Sequence, residues 1–290
     1  ARAARPARTV KVLVTGSSGR IGGAIATRLS LRHQVTGFDQ RPGPLTPVIG
    51  DLRDTALLAG VVAGMDAVLH TAALHVPDLA ARSEQEFRDV NVHATRRLLQ
   101  ACGEAGVARF VYTSSTSLYG DALVPDAGGA VWVTEDLAPR PRDIYDETKL
   151  AAEAACAEAA RAGMSCISLR MSRCFPEEAR LLAIYRLYRG VDALDVAQAH
   201  ELALAAATPG YDVFNVSAPQ AFAARDCPRL LAEADAIIFE RFPWAQAEFA
   251  RRGWLLPRSI DRVYVVDKAV AGLGYRPLHD FASLFRRPEP

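Results

Sequence analysis

The chain has 290 residues, half of them hydrophobic, enough for one large globular unit or a domain with a smaller appendage, which excludes a chain too polar to fold. Its 34 bases and 33 acids leave a net charge of +1, so no field strong enough to gather nucleic acid or an anionic membrane is expected, and neither is a partner of this protein. Five scattered cysteines, Cys102, Cys156, Cys166, Cys174 and Cys227, match neither a zinc site nor a disulfide scaffold, so no metal is expected and a reducing cytoplasm is the expected compartment.

Residues 1–8 lack the apolar centre of a signal peptide and read as a disordered tail. Residues 10–15 form an apolar, β-branched run that enters the turn Gly16-Ser17-Ser18-Gly19-Arg20-Ile21-Gly22 and leaves as a helix through Leu31. Strands are predicted over 35–39, 48–50 and 67–70, with a helix over 55–63. This alternation predicts an α/β fold, a Rossmann-type doubly wound parallel sheet. Ser83 and Glu86 have capping-box spacing and predict one long helix through Ala105. After a strand over 110–114, the proline- and glycine-bearing stretch 121–142 reads as a surface excursion bordering the site. A helix over 145–162, a strand over 165–169, a helix over 191–207 and a last strand over 212–216 follow. Beyond residue 217 the alternation stops. Helical stretches over 226–242 and 267–273, with a segment over 244–254 between them, read as a small C-terminal substrate cap over 218–290, set against a nucleotide-binding domain over 9–217. No run reaches the length of a membrane span.

A glycine turn between strand and helix aims free N–H groups and the positive helix end at a pyrophosphate, where side chains would obstruct the approach. Such turns also occur without a ligand, and here the context decides. Asp39 ends the next strand, where a carboxylate accepts from the adenosine ribose hydroxyls and repels a 2′-phosphate. NAD is therefore favoured over NADP, although Arg20 and Arg41 are placed to counter a phosphate. Asp51 is positioned either for an adenine amino group or merely to cap the following helix. Thr71, Ala72 and Ala73 are small, either to let the cofactor pass or to pack tightly.

Tyr145 and Lys149 stand four apart and share a helix face. An ammonium near a phenol favours the phenolate, lowering a pKa of about 10 toward working pH, as deprotonation of an alcohol requires. The pair alone would read as a surface pair. Its meaning changes because Ser114 and Ser115 fall at the carboxyl end of a preceding strand, the edge where open parallel sheets bind ligands. His70, alone at a strand end, reads as structural.

Taken together, Gly16-x-x-Gly19-x-x-Gly22, the run Tyr112 to Gly120 (YTSSTSLYG) and Tyr145-x-x-x-Lys149 resemble the extended short-chain dehydrogenases/reductases, the NAD-dependent epimerase/dehydratase family; Asp51-Leu52 and Asn91-Val92 match as well. The resemblance covers about residues 9–217, and 267–277 resembles the family's closing helix and Gly-Tyr-x-Pro. It implies Ser115 as the hydroxyl orienting the substrate, Tyr145 as acid/base, and Lys149 as both charge and ligand of the nicotinamide ribose. It implies cofactor contacts from Gly16, Ser18, Gly19, Arg20, Ile21, Gly22, Asp39, Asp51, Leu52, Thr71, Ala72, Ala73, Asn91, Thr113 and Met171. A homodimer through the helices over 83–105 and 145–162 is implied too, although their apolar faces equally suit a core.

Departures from the family pattern bear on the substrate. Dehydratases of the family carry an acidic pair after the catalytic hydroxyl, where this chain has Thr116-Ser117, which disfavours dehydration. Only about twenty residues separate the strand ending near Arg170 from the helix beginning near Val191, leaving little chain to grip a nucleotide and favouring a small free substrate. The stretch 169–177 with Arg180 resembles uronate dehydrogenases, which implies that Arg180 grips a sugar carboxylate through its paired donors; the alternative is a solvated helix residue. Arg173 either clashes with a uronate or adds a second contact. His75, Ser115, Thr116 and Ser117 complete the expected substrate set. Trp254 and Arg258 either form a lid or pack the cap. The expected function is thus NAD-dependent oxidation of a hydroxyl on a small sugar or sugar acid. The alternatives are an epimerase of a sugar or nucleotide sugar that retains its cofactor, and an idle NAD-binding protein.

Overall fold

A computed structural model describes residues 9–126 and 128–285, so the expected tail over 1–8 lies outside the described residues. Strand β1 (Lys11–Thr15) buries Val12, Leu13 and Val14 completely, the unbroken apolar run of a strand covered on both faces. Helix α1 (Arg20–Ser30) turns Ile25, Ala26 and Leu29 inward, and β2 (Gln34–Asp39) and β3 (Val48–Ile49) follow. Helix α2 (Thr55–Val62) begins at Asp54, whose carboxylate accepts from the Leu57 N–H at 3.0 Å, and leads to β4 (Ala67–His70).

The capping box at Ser83 forms as the spacing predicts: Glu86 accepts from the Ser83 N–H at 2.9 Å while Ser83 Oγ accepts from the Glu86 N–H at 3.3 Å. The helix it opens is not uniform. It runs as α3 (Glu84–Phe87), a wider π-helical stretch over Arg88–His93, and α4 (Ala94–Glu104). Next come β5 (Arg109–Ser115), β6 (Val131–Val133), α5 (Ile144–Arg161) and β7 (Ser165–Met171). Strand β6 falls inside the stretch read from sequence as a surface excursion; it pairs in parallel with β9 (Arg262–Tyr264), Trp132 opposite Val263. Helices α6 (Ala179–Arg186) and α7 (Ala193–Ala205), strand β8 (Tyr211–Val216) and helices α8 (Cys227–Arg241), α9 (Ala245–Arg251) and α10 (Asp267–Leu273) complete the fold.

Seven strands lie in the order β3-β2-β1-β4-β5-β7-β8, the parallel Rossmann-like sheet expected. Strands β2 and β4 flank β1, with Val14 opposite both Gly37 and Leu69. The chain therefore reverses direction across the sheet between β1 and β4, the place where open α/β sheets bind ligands. Two compact units divide the chain: Ala1–Thr113, Ala151–Ser168 and His200–Asp212 form one, and Ser114–Leu150, Leu169–Ala199 and Val213–Pro290 the other. The first is built on Leu13, Phe38, Leu58, Val68, Leu98 and Phe110. The second is built on Leu187, Leu230, Ile237, Phe249, Ile260 and Phe281. No helix among the described residues is long and apolar enough to cross a membrane.

Candidate active site

In the first unit the glycine turn is shaped from its inner side. Gly16 has φ +73°, and a Cβ there would lie 2.6 Å from Thr71 Oγ1 and 2.8 Å from the Ala72 nitrogen. A Cβ on Gly22 would lie 2.1 Å from the Gly16 carbonyl oxygen, so these two glycines permit close approach of backbone to backbone. Gly19 differs: its Cβ would meet only the Gly16 oxygen, at 3.2 Å. Gly19 is also the residue just before α1, at its N-cap; among the described residues no side chain caps the helix there and no acidic residue sits in its first turn. An open glycine in front of uncapped N–H groups fits a pyrophosphate.

Asp39 receives the Ser18 N–H at 3.1 Å on one oxygen and the Arg41 N–H at 3.0 Å on the other, so its carboxylate is fixed beside the turn with lone pairs left over for hydroxyl donors. Ser18 Oγ donates to the Arg41 carbonyl at 2.6 Å, and Thr46 Oγ1 lies 2.7 Å from Ser17 Oγ and 2.9 Å from Ser18 Oγ. This clasp between the turn and the loop after β2 had no signal in the sequence. Arg20 is exposed and Ile21 half-buried at the start of α1. Asp51 is forked by Arg53, whose hydrogen bonds hold its carboxyl below the usual range against the effect of burial; Leu52 is core.

His70, read as structural, is fully buried with both ring nitrogens bonded, Nδ1 to Thr15 Oγ1 at 2.7 Å and Nε2 to Thr95 Oγ1 at 2.8 Å. Because Thr95 Oγ1 donates to the Asn91 carbonyl, it accepts from His70, which assigns the proton to Nε2 and leaves Nδ1 to accept from Thr15. Thr15 Oγ1 in turn accepts from the Thr71 and Ala72 N–H groups at 3.2 and 3.3 Å. Asn91, expected among the cofactor contacts, is buried in the π-helical stretch and clamps Leu74, accepting from its N–H at 2.8 Å and donating to its carbonyl at 2.9 Å. The loop carrying Thr71, Ala72 and Ala73 is thus held at both ends. His75 is exposed just beyond it, its N–H bonded to Asp78. Thr113 is buried against His200, Oγ1 to Nε2 at 2.7 Å.

In the second unit Ser115 ends β5, and the 3₁₀ turn Thr116–Tyr119 follows it. The Ser117 N–H donates to Ser115 Oγ at 3.1 Å, leaving the Ser115 proton for another acceptor. That partner is Tyr145, on the first turn of α5. Burial pushes the phenol up to about 12; the Ser115 hydroxyl pulls it down, and the Asp146 and Asp143 carboxylates add to the rise. Lys149, also buried, holds Nζ 6.0 Å from the centre of the Tyr145 ring. The structure thus places the Ser115 hydroxyl against the Tyr145 phenol and Lys149 near the Tyr145 ring. Thr116 is buried and Met171 half-buried at the end of β7.

The two arginines expected at the substrate differ. Arg173 is taken up by Glu177, with Nε 2.6 Å from Oε1, and stacks on Phe175 and Tyr185. Arg180 is exposed on the first turn of α6, and no hydrogen bond or ion pair holds it among the described residues. Trp254 meets Phe249 edge-on at 5.5 Å, within the aromatic packing around Phe281 and Phe285. Sequence reading missed Glu135, a half-buried carboxylate that receives the Asn215 N–H at 2.6 Å in a network with Tyr119 and Arg170. It also missed Asp146, which stands beside Tyr145 in the chain but carries no sequence signal of burial.

The curated relatives include a 3-beta-hydroxysteroid dehydrogenase of Mycolicibacterium neoaurum, 39% identical over 156 residues, covering 49% of this chain and 41% of that protein. A UDP-glucose 4-epimerase of Streptomyces lividans is 32% identical over 172 residues, 55% of this chain and 50% of the relative. The chain spans about half the length of the curated relatives it matches. Among solved structures, MoeE5 in complex with UDP-glucuronic acid and NAD is 26% identical with a TM-score of 0.69, covering 95% of this chain and 96% of that one. A mutated uronate dehydrogenase, 17% identical with a TM-score of 0.67 over 95% of this chain and 84% of that one, shows the fold alone. The described NAD dependent epimerase/dehydratase family matches residues 12–181, more than half of the sequence, and the chain belongs to that family.

Proposed function

We propose that the protein is an NAD-dependent enzyme acting on a secondary hydroxyl of a sugar or nucleotide sugar, and that it keeps its cofactor through the cycle as an epimerase. The observation carrying the chemistry is the grouping of Ser115, Tyr145 and Lys149, two hydroxyls in contact and an ammonium on the same helix face. The sugar reading draws support from the UDP-glucose 4-epimerases among the relatives and from the UDP-sugar complexes of MoeE5. The glycine turn and Asp39 are the residues that would hold NAD, whose nicotinamide would supply an acceptor for the substrate's carbon-bound hydrogen. Ser115 donates to the substrate oxygen, and Tyr145 takes the proton of the same hydroxyl with Lys149 favouring its ionised form. In epimerisation Tyr145 returns that proton; in net oxidation it must pass it to solvent. In the first unit, α4 and α5 flank a groove of about 650 Å³ lined by Leu99, Ala155 and Ala159, which supports pairing of two copies there.

A second reading, net oxidation of a free uronic acid, rests on Arg180, exposed and without an ion pair among the described residues, while Arg173 is held by Glu177. Turnover with UDP-sugars, free uronic acids and, given the steroid dehydrogenases among the relatives, 3β-hydroxysteroids separates the cases. Product formation without NADH accumulation supports epimerisation; a rising NADH band that Arg180→Ala abolishes for uronates alone supports the second reading. Tyr145→Phe is expected to lower kcat about 10²–10⁴-fold with NAD affinity retained. Unchanged turnover in that variant overturns the assignment of the base, and a protein that binds NAD but turns over none of the panel is the idle alternative.

A further inference from the structure

We propose that Asp146 is a positioning residue acting through Tyr145: its buried carboxyl, tied to Arg142 and Ser117, sets the pH at which the phenol gives up its proton. The proposal rests on the reading of Tyr145 as acid/base. Asp146 follows Tyr145 on α5 and has a completely buried side chain, yet its Oδ1 has no hydrogen-bond partner among the described residues. Its Oδ2 receives Arg142 Nε at 3.2 Å, a single ion pair with a guanidinium that is itself partly exposed. Arg142 also donates from a terminal nitrogen to Ser117 Oγ at 3.3 Å, and Ser117 fixes Ser115 through its backbone N–H. The carboxyl is thus linked through Arg142 and Ser117 to the residue whose N–H orients the Ser115 hydroxyl.

A buried carboxylate with one oxygen unsatisfied is costly to ionise, and burial does raise its pKa, with Asp143 adding to the rise and Ser117 and Arg142 opposing it. Whatever negative charge it carries disfavours a phenolate one residue away. The groups that act on Asp146 and Tyr145 are Ser115 from β5, Ser117 from the turn after it, and Arg142 and Asp143 from the segment before α5, while Lys149 on α5 holds Nζ 6.0 Å from the centre of the Tyr145 ring. The Ser115 hydroxyl favours the phenolate while burial, Asp146 and Asp143 oppose it, so the working pH reflects the balance between them.

The test is a phenolate absorbance titration of the full chain with NAD present, each protein read against its own Tyr145→Phe version so that only this tyrosine remains. Asp146→Asn keeps the shape and removes the charge; the Tyr145 midpoint is expected to fall by about half to one pH unit, and the acid limb of kcat/KM to follow it. Arg142→Gln is expected to move both upward. An unmoved or raised midpoint in Asp146→Asn overturns the proposal, as does a mere loss of activity equal at every pH. Should circular dichroism show that Asp146→Asn does not fold, the Arg142→Gln arm decides, and a midpoint that does not rise overturns the idea. A shift in a protein whose turnover ignores Tyr145→Phe overturns the functional reading, and this proposal with it.

Discussion

Gly19 and Gly22 differ in what a methyl group would meet at each. At Gly22 the new carbon would fall 2.1 Å from the Gly16 carbonyl, backbone that can move only if α1 leaves β1. Gly22→Ala is expected to cost about 1–3 kcal/mol of stability, as overpacking does, and to lose NAD binding as a consequence. At Gly19 the nearest atom is 3.2 Å away and the backbone is extended, at φ −79°, so Gly19→Ala should fold with nearly unchanged Tm yet bind NAD more weakly, its methyl occupying the approach to the uncapped helix end. Calorimetric titration with NAD beside thermal melts checks both; equal losses at the two positions would contradict this division between packing and ligand access. At this scale the sequence was informative because the constraint is local: the spacing of Gly16, Gly19 and Gly22 marks the strand-to-helix turn, and that of Tyr145 and Lys149 puts them near each other on α5. Asp146, Glu135 and the His70 relay were not legible, since burial of a polar side chain depends on neighbours far along the chain that no local pattern reports.

The helix after Ser83 shows how far an element can be read. Its start was legible, because Ser83 and Glu86 satisfy each other within four residues. Its widening over Arg88–His93 was not, because a π turn only moves a backbone hydrogen bond one residue further along, from i→i+4 to i→i+5, and no residue type in that stretch marks where the change occurs. The same limit hid β6, three residues long, whose identity as a strand comes only from β9 well over a hundred positions later. The wide turn carries Asn91, whose amide takes both backbone groups of Leu74 and so fixes the loop bearing Thr71 to Ala73. Replacing it with alanine leaves the half-buried N–H and carbonyl of Leu74 without that partner, a cost of about 1 kcal/mol. Asn91→Ala is expected to lower Tm and to speed amide exchange at Leu74 more than in β4. If Leu74 exchange is unchanged, the clamp is not what holds the loop.

At the scale of the whole chain, the alternation of strands and helices made the Rossmann-like sheet legible, since each buried parallel strand must read as a short apolar run. Where one folding unit ends was harder to read, because compactness depends on packing between distant segments. The expectation of a self-standing domain over 9–217 can be tested by ending the chain at residue 217. The core of the second unit joins Ala130, Ala183, Ile184 and Leu187 to Leu230, Ile237, Phe249, Ile260 and Phe281, which come from beyond that point. Truncation would strip these four residues of their partners and remove β9 from β6, leaving Trp132 and Val133 on an unpaired three-residue strand. The same unit carries Ser115, Tyr145 and Lys149, whereas the glycine turn lies in the other. A chain of 1–217 is therefore expected to lose turnover and to melt without a sharp transition, while retaining weak NAD binding through the first unit. A truncated chain that melts cooperatively and turns over substrate would show instead that the cap only shapes the substrate pocket and that the proton-transfer groups need nothing from it.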